Sequence, residues 1–239
     1  MLLRLTEPRS LAGLGHYRKP MNCLVTAGPT VEPFDQVRRL TNFSTGRLGG
    51  EFADHLVAGG HHVTLLLAES ATWPGPSRAH QLERFSTTAD LRARMLRRAG
   101  GSVDAVFHAA AVSDFAIGQV WRRLPAGELE RVKAGKLTTR AGTLLAELTP
   151  TPKIIAGLRE AFPEAQLVGW KFEVDGGRLG ALAAAARQLR ECHTDACVLN
   201  GPAYGPGFGL FTAAGTAEDL PDRPALFAGL VALLAARTA

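Results

Sequence analysis

Two segments carry the residues whose types and spacing best suit an anion-binding site. Gly28-Pro29-Thr30 follows an apolar stretch, and Asn42-Phe-Ser-Thr-Gly-Arg-Leu-Gly49 opens the next amphipathic one. A helix that begins at about Thr45 with Ser44 as its N-cap has unpaired N–H groups in its first turn and no Glu to close a capping box. Such a helix end favours a phosphate or a carboxylate. An ordinary Ser/Thr N-cap with a solvated Arg47 would explain the same residues.

A third segment, His108-Ala-Ala-Ala-Val-Ser-Asp114, follows another apolar stretch. Ligands of open α/β sheets bind at the carboxyl ends of the strands, where small residues let a flat ring approach the backbone and Asp114 could accept hydrogen bonds from a ribose. A tight turn capped by Asp114 is the alternative. Lys133 and Lys136 lie in a glycine-containing stretch, where they could contact a phosphate or simply be solvated.

The sequence lacks the usual machinery of several enzyme classes. GxGxxG is suggested only by Gly13-Leu-Gly15, which precedes the first strand and has Arg18 in place of the third glycine. There is no GxxxxGK[ST] loop, no Tyr-x-x-x-Lys pair and no GxSxG nucleophile turn. The three cysteines have no zinc-ligand spacing, so no metal site is predicted.

Composition limits the partners and the location. The chain of 239 residues is 46% hydrophobic and 21% charged, as in globular domains, and no run of about 18 apolar residues predicts a membrane span. The net charge of +5 comes with few aromatic residues, so we expect neither a nucleic-acid nor a membrane partner. Three reduced thiols and the absence of a signal-peptide pattern predict a cytoplasmic protein with an N-terminal extension over residues 1–20.

The hydrophobic pattern alternates between strands and helices over residues 21–239. This alternation predicts a single α/β domain with a Rossmann-like, doubly wound, mostly parallel sheet and helices on both faces. Strands are expected at residues 23–27, 62–67, 104–111, 166–170, 196–199 and 209–213. Helices are expected at 45–58, 88–99, 152–162, 180–192 and 223–237. Residues 115–150 are predicted to form an irregular arm or flap.

Several segments in the same order resemble one family, the phosphopantothenate–cysteine ligases (phosphopantothenoylcysteine synthetases) of the DNA/pantothenate metabolism flavoprotein type. The longest match is TAGPTVEPFDQVRRLTNFSTGRLGG. The later matches are AAAVSDF, Lys136-Leu137, TPKII, GWKFE and DACVLN. Together they cover about residues 21–239.

The resemblance implies an acid–amino-acid ligase of coenzyme A biosynthesis. In this family the carboxylate of 4'-phosphopantothenate attacks the α-phosphate of a nucleoside triphosphate, and cysteine then displaces the nucleotide from the acyl-nucleotide intermediate. ATP or CTP with Mg²⁺ is implied as co-substrate, and no flavin is implied, since we expect a stand-alone ligase domain. A homodimer formed through the 115–150 arm is also implied.

The resemblance also assigns roles to residues. Asn42 and Lys136 are implied as catalytic. Because Asn42 lies just before the helix end, next to the substrate anion, we expect its amide to donate to the acyl oxygen as cysteine adds. The implied substrate-binding residues are Arg38, Ser44, Thr45, Gly46 and Arg47. The implied nucleotide-binding residues are Gly28, Pro29, Thr30, Ala109, Ala110, Asp114, Lys136, Thr151, Pro152, Lys153, Ile154 and Trp170.

Two departures leave alternatives open. CTP-using bacterial members carry two lysines where this sequence has Gln188 and Cys192, and the WKFE block is closer to ATP-using members. The nucleotide therefore stays undecided between ATP and CTP. A non-catalytic nucleotide-binding regulatory module and an NAD(P)-dependent Rossmann oxidoreductase are the two other functions considered.

Overall fold

A computed structural model describes residues 19–133, 135–138, 140 and 142–236. Its strands, in chain order, are β1 (Asn22–Ala27), β2 (Val31–Pro33), β3 (Arg39–Thr41), β4 (His62–Ala68), β5 (Gln81–Phe85), β6 (Ala105–His108), β7 (Phe115–Arg123), β8 (Leu129–Arg131), β9 (Leu144–Pro150), β10 (Gln166–Phe172), β11 (Ala196–Asn200), β12 (Phe208–Thr212) and β13 (Ala217–Leu220). Its helices are α1 (Arg47–Ala58), α2 (Thr88–Leu96), α3 (Leu158–Ala161), α4 (Gly177–Cys192) and α5 (Arg223–Ala236), and a 3-10 turn (Ile154–Gly157) leads into α3.

The central sheet has eight strands in the order β13-β12-β11-β10-β6-β1-β4-β5. The six strands from β11 to β5 are parallel, and β12 and β13 add an antiparallel edge. The predicted doubly wound, mostly parallel sheet is confirmed. Buried apolar runs such as Leu65-Leu66-Leu67 in β4 form its inner strands because both faces of a parallel sheet are covered.

Helices cover both faces of this sheet. On one face α1 and α5 pack on β1, β4, β6 and β10, with the Phe52 ring meeting the Phe107 ring edge-on at 4.7 Å. On the other face α2, the 3-10 turn and α3 cover Leu24, Leu66 and Val106, while α4 covers β11. No helix in the described ranges is both long and apolar enough to cross a membrane.

The arm over residues 115–150 is more regular than predicted. Its strands β7, β8 and β9 form an antiparallel sheet in the order β8-β7-β9. The expectation of an irregular segment was wrong because charges and glycines mask the pairing, and a register shift between Ile117 and Val120 breaks the alternation. Residues 1–18, which hold Gly13-Leu-Gly15, lie outside the described residues.

Candidate functional site

The site lies where the winding of the sheet reverses. After β1 the chain moves to β4 on one side, whereas β6 lies on the other side of β1. In open α/β sheets such a reversal opens a crevice at the carboxyl ends of the two strands. The loops that leave β1 and β6, which contain the Gly28–Thr30 and Ala109–Asp114 segments, meet at this crevice.

Thr30 joins these two loops. Its N–H donates to Ala111 O at 3.1 Å, and its Oγ1 accepts from Ser113 N at 2.8 Å and from Thr88 Oγ1 at 3.1 Å. Gly28 accepts from the N–H of Ala111 at 3.0 Å. Thr30 is fully buried, so its side chain supports the floor of the crevice instead of offering a free group to a ligand.

Asn42 lies at the rim of the crevice. It follows the short β2–β3 hairpin, and its Nδ2 donates to Ala111 O at 3.2 Å and to Val112 O at 3.1 Å. Because carbonyl groups only accept hydrogen bonds, these two partners identify Nδ2 as the amide atom that faces Ala111 and Val112. Oδ1, a hydrogen-bond acceptor, is therefore the amide atom of Asn42 that has no partner among the described residues, whereas we expected the amide to act as a donor.

Helix α1 begins two residues later than predicted. Its N-cap is Gly46, in the left-handed region with φ 76°, and not Ser44. A Cβ at Gly46 would lie 3.0 Å from Leu67 Cδ1, so only glycine fits this approach to the sheet. Since Gly46 has no side chain, the first turn keeps N–H groups that no side chain caps, apart from Arg47 N, which donates to Thr45 Oγ1 at 3.2 Å.

The two predicted substrate-binding arginines both hold carboxylates of the chain itself. Arg47 Nε donates to Glu51 Oε1 at 2.7 Å, and Arg38 contacts Asp35 Oδ2 at 2.6 Å. Both guanidinium groups remain about half exposed, so each can turn toward an anion.

The predicted nucleotide-binding segments Ala109–Asp114 and Thr151–Ile154 are joined. Thr151 N donates to Asp114 O at 2.9 Å, and Thr151 Oγ1 donates to Ser113 O. Pro152 and Lys153 are exposed beyond this junction, and Ile154 is buried in the core. The carboxylate of Asp114 is exposed and has no partner among the residues that the structure describes.

Trp170 lies near the end of β10, one residue beyond Gly169, which pairs with His108. Its indole packs against the α1/α5 side of the core, and the buried Nε1–H has no hydrogen-bond partner in the described part of the chain. An unpaired buried donor is costly, so this N–H is a candidate for a ligand acceptor. Ala109 and Ala110 are half-buried, and their small side chains leave space beside Trp170.

His108 closes the bottom of the crevice. It is buried, its Nδ1 lies 2.9 Å from Thr26 Oγ1, and burial lowers the pKa of the imidazole to about 4. The side chain is therefore neutral at physiological pH and contributes no positive charge toward a bound phosphate.

Lys136 is exposed on a segment that docks against the turn before β3. This docking depends on Asp35, which sequence reasoning missed. Asp35 lies in the FDQVRR segment, and only its contact with Leu137, about 100 residues away in the chain, gives it a function. Arg38 and Asn42 lie at opposite ends of β3, about 13 Å apart at roughly 3.3 Å per residue.

Gln188 and Cys192 both face the interior. Gln188 is 3% exposed, its Nε2 lies against Gly169, and Cys192 packs among the apolar residues beneath α4. The neighbouring Arg187 and Arg190 are exposed. The described residues contain no group of three or more His, Cys, Asp or Glu side chains that could hold a metal ion.

Comparison with known proteins gives a consistent result. The family model described as the DNA/pantothenate metabolism flavoprotein C-terminal domain matches residues 19–217. The coenzyme A biosynthesis bifunctional protein CoaBC of Thermococcus kodakarensis is 33% identical over 200 residues, which are 83% of this chain and 44% of that protein. The chain spans about half the length, or less, of the curated relatives it matches.

Solved structures share the fold. The DNA/pantothenate metabolism flavoprotein from Streptococcus pneumoniae aligns with a TM-score of 0.76 at 23% identity, covering 91% of this chain and 99% of that one. A Cab2 mutant in complex with phosphopantothenate-cysteine aligns with a TM-score of 0.67 at 19% identity, covering 91% and 86%.

Proposed function

Because the chain belongs to the family of DNA/pantothenate metabolism flavoprotein C-terminal domains, we propose that it ligates 4'-phosphopantothenate to cysteine. The product is an amide, and the reaction passes through an acyl-nucleotide. The relatives named for coenzyme A biosynthesis support this place in metabolism. One structural observation carries the proposal: Asn42 is fixed by two hydrogen bonds at the rim of the crevice where the winding of the sheet reverses.

In the first step the substrate carboxylate attacks the α-phosphate and pyrophosphate leaves. No protein nucleophile is needed, so catalysis consists of positioning and of stabilising the charge that develops on the phosphate. Lys136 supplies a cation to this phosphate. The phosphate end of the pantothenate moiety binds at the start of α1, where Ser44, Thr45, Gly46 and Arg47 surround N–H groups that lack side-chain caps.

In the second step the amine of cysteine attacks the acyl carbon and the nucleoside monophosphate leaves. Nitrogen gains positive charge as it bonds to carbon, so an acceptor near its N–H groups stabilises the transition state. We assign this task to Oδ1 of Asn42, the atom of the amide that the protein leaves free.

The nucleotide binds across the ends of β6 and β10. Ala109 and Ala110 leave room for its ring, Asp114 accepts from the ribose, and Trp170 offers its unpaired N–H. Mg²⁺ accompanies the triphosphate as part of the substrate and is held mainly by phosphate oxygens and water. Because the buried Gln188 and Cys192 stand where CTP-using members carry lysines, we propose that ATP is used at least as well as CTP.

The connection from β1 to α1 argues against a dinucleotide-dependent oxidoreductase. A GxGxxG turn passes directly from strand to helix, whereas residues 28–46 here contain the β2–β3 hairpin. We also propose a cytoplasmic homodimer in which the β7–β9 arm contacts the second subunit.

The test is pyrophosphate release with phosphopantothenate, cysteine and each of the four nucleoside triphosphates in turn. We expect release that requires phosphopantothenate, with ATP or CTP supporting the fastest turnover. Matched reactions without phosphopantothenate or with pantothenate in its place measure background hydrolysis. No turnover with any of the four, together with nucleotide binding, would identify a non-catalytic nucleotide-binding module.

A further inference from the structure

The residues on both sides of Lys136 are hydrogen-bonded to a turn far away in the chain. Gln36 N donates to Gly135 O at 2.9 Å, and Leu137 N donates to Asp35 Oδ2 at 3.1 Å. Arg38 Nη2 donates to Leu137 O at 2.7 Å. Leu137 is 6% exposed although the chain around it is solvated. The main chain that carries Lys136 is thus fixed on both sides.

Asp35 is the centre of this arrangement, and its two oxygens have different tasks. Oδ1 accepts from the N–H groups of Val37 and Arg38 at 2.9 and 2.8 Å and so builds the local turn. Oδ2 accepts from Arg38 Nε and Nη2 and from Leu137 N, so it joins the turn to the Lys136 segment. The side chain of Asp35 is 2% exposed.

The charge of Asp35 is secure at neutral pH. Burial alone would raise the pKa of this carboxyl, but the hydrogen bonds from Arg38, Val37 and Leu137 together hold the pKa well below its usual value. The carboxylate can therefore accept hydrogen bonds from all of its donors at any pH at which an enzyme assay is performed.

The same turn leads directly to Asn42. The chain runs from Arg38 through β3, and Thr41 Oγ1 donates to Thr30 O at 2.8 Å before Asn42 is reached. One continuous stretch of chain therefore contacts both the Lys136 segment and the floor of the crevice.

We propose that Asp35 is a positioning residue for the ligation, because it fixes the Lys136 segment at a set place relative to Asn42. This inference rests on the proposed function for its catalytic part. The Asp35 contacts place the Lys136 segment before nucleotide binds. Asp35 itself does not touch the substrate.

Asp35→Asn separates the two tasks of the side chain. The amide oxygen can replace Oδ1 and keep the local turn, while the amide NH₂ replaces Oδ2 and faces three donors. Asp222→Asn is the matched control, since Asp222 Oδ1 also accepts a backbone N–H, from Ala225 at 2.9 Å, and lies outside the site.

The first readout is hydrogen–deuterium exchange of the peptide that contains residues 135–137. We expect exchange about tenfold or more faster in Asp35→Asn than in Asp222→Asn, with the melting temperature nearly unchanged. Unchanged exchange in this peptide would overturn the inference whatever the activity.

The second readout is a double-mutant cycle on the first-turnover rate of pyrophosphate release. Asp35→Asn should slow pyrophosphate release about 10-fold or more in the wild-type background. In the Lys136→Ala background the same substitution should change the release rate little, because a positioning residue acts through the group it positions. Equal effects of Asp35→Asn in both backgrounds would show that Asp35 does not act through Lys136. If the wild type itself releases no pyrophosphate with any triphosphate, the proposed function fails, and exchange alone decides whether Asp35 fixes the segment.

Discussion

At the scale of single residues, His108 is a buried titratable side chain at the end of β6, beside the crevice. Thr26 is fully buried, and its hydroxyl accepts from Ala110 N at 3.2 Å while lying 2.9 Å from His108 Nδ1. Because the hydroxyl already accepts from Ala110 N, its own proton is available for a hydrogen bond to Nδ1. We therefore assign the proton of the neutral imidazole to Nε2.

This burial predicts a pH dependence of stability. The pKa of His108 is about 4 in the folded chain against 6.5 for an ordinary histidine. The unfolded chain takes up a proton in this window that the folded chain does not, so the free energy of unfolding falls as pH decreases from 6.5 toward 4, by about 3 kcal/mol in total. In His108→Gln, which cannot titrate but can accept from Thr26, this part of the pH dependence should vanish. Urea denaturation across the window measures it, and parallel curves for the two proteins would contradict it.

The proposed roles of Lys136 and Asn42 predict different failures. Lys136→Ala should slow pyrophosphate release by about 10²–10³-fold with or without cysteine, because charge develops on the α-phosphate in the first step. Asn42→Ala should still release pyrophosphate in the first turnover and leave acyl-nucleotide on the enzyme. Single-turnover quenching with labelled nucleotide distinguishes the two. Accumulation of the intermediate in Lys136→Ala, and none in Asn42→Ala, would reverse the roles.

At the scale of elements, the position of α1 depends on its glycines. A Cβ at Gly49 would lie 2.6 Å from Ala27 Cβ and 3.1 Å from Thr26 O, so alanine there must push the helix away from β1. We expect Gly49→Ala to lower the free energy of unfolding by about 2 kcal/mol.

Gly180→Ala in α4 is the matched control for that substitution. Nothing lies within 4 Å of a Cβ at Gly180, so alanine should raise stability by about 0.5–1 kcal/mol through helix propensity. Urea denaturation of both variants measures the difference, and equal stability changes would show that α1 can move freely.

The sequence predicted the long buried elements well, and the short elements and the exposed strands of the arm poorly. β1, β4, β10 and α5 were placed within about two residues, because apolar runs under helices are distinctive. β2, β3, β5, β8 and β13 were missed, since strands of only three to five residues, with few buried side chains, carry little periodicity. Pro152–Phe162, predicted as one helix, is a 3-10 turn followed by the short α3.

The segments that meet at the crevice were predictable from the sequence, but their contacts were not, and the roles of their residues stay predictions. The segment around Asn42 was found from the uncapped N–H groups of the helix that follows it, and Asp114 from its place after a strand whose carboxyl end lies at the ligand-binding edge of the sheet. The pairing of Asp35 with Leu137, and the orientation of the Asn42 amide toward Ala111 and Val112, depend on loops brought together by the whole sheet. No local pattern contains that information.

At the scale of the whole molecule, the arm exposes an apolar face. Ile117 pairs with Leu148 across β7 and β9, and Phe115 lies on the same side; Phe115 and Leu148 are 42% and 51% exposed. If this face contacts the second subunit of the proposed dimer, a buried carboxylate there should oppose association.

Leu148→Glu should therefore shift the protein from twice the 25.4 kDa chain mass toward a single chain at micromolar concentration, as measured by sedimentation. Leu82→Glu on the edge strand β5 is the control, because Leu82 is 44% exposed but lies away from the arm. A dimer that persists in Leu148→Glu would place the interface elsewhere.

The three cysteines have a consequence for a protein proposed to handle free cysteine. Cys23, Cys192 and Cys197 are each at most 2% exposed and form no disulfide, and burial raises the pKa of Cys23 and Cys197 to about 12. Thiol–disulfide exchange requires an accessible thiolate, so oxidised cysteine in the substrate pool has no protein thiol to capture. A sulfhydryl reagent added to the folded protein during turnover would accordingly count the thiols of the substrate and product alone.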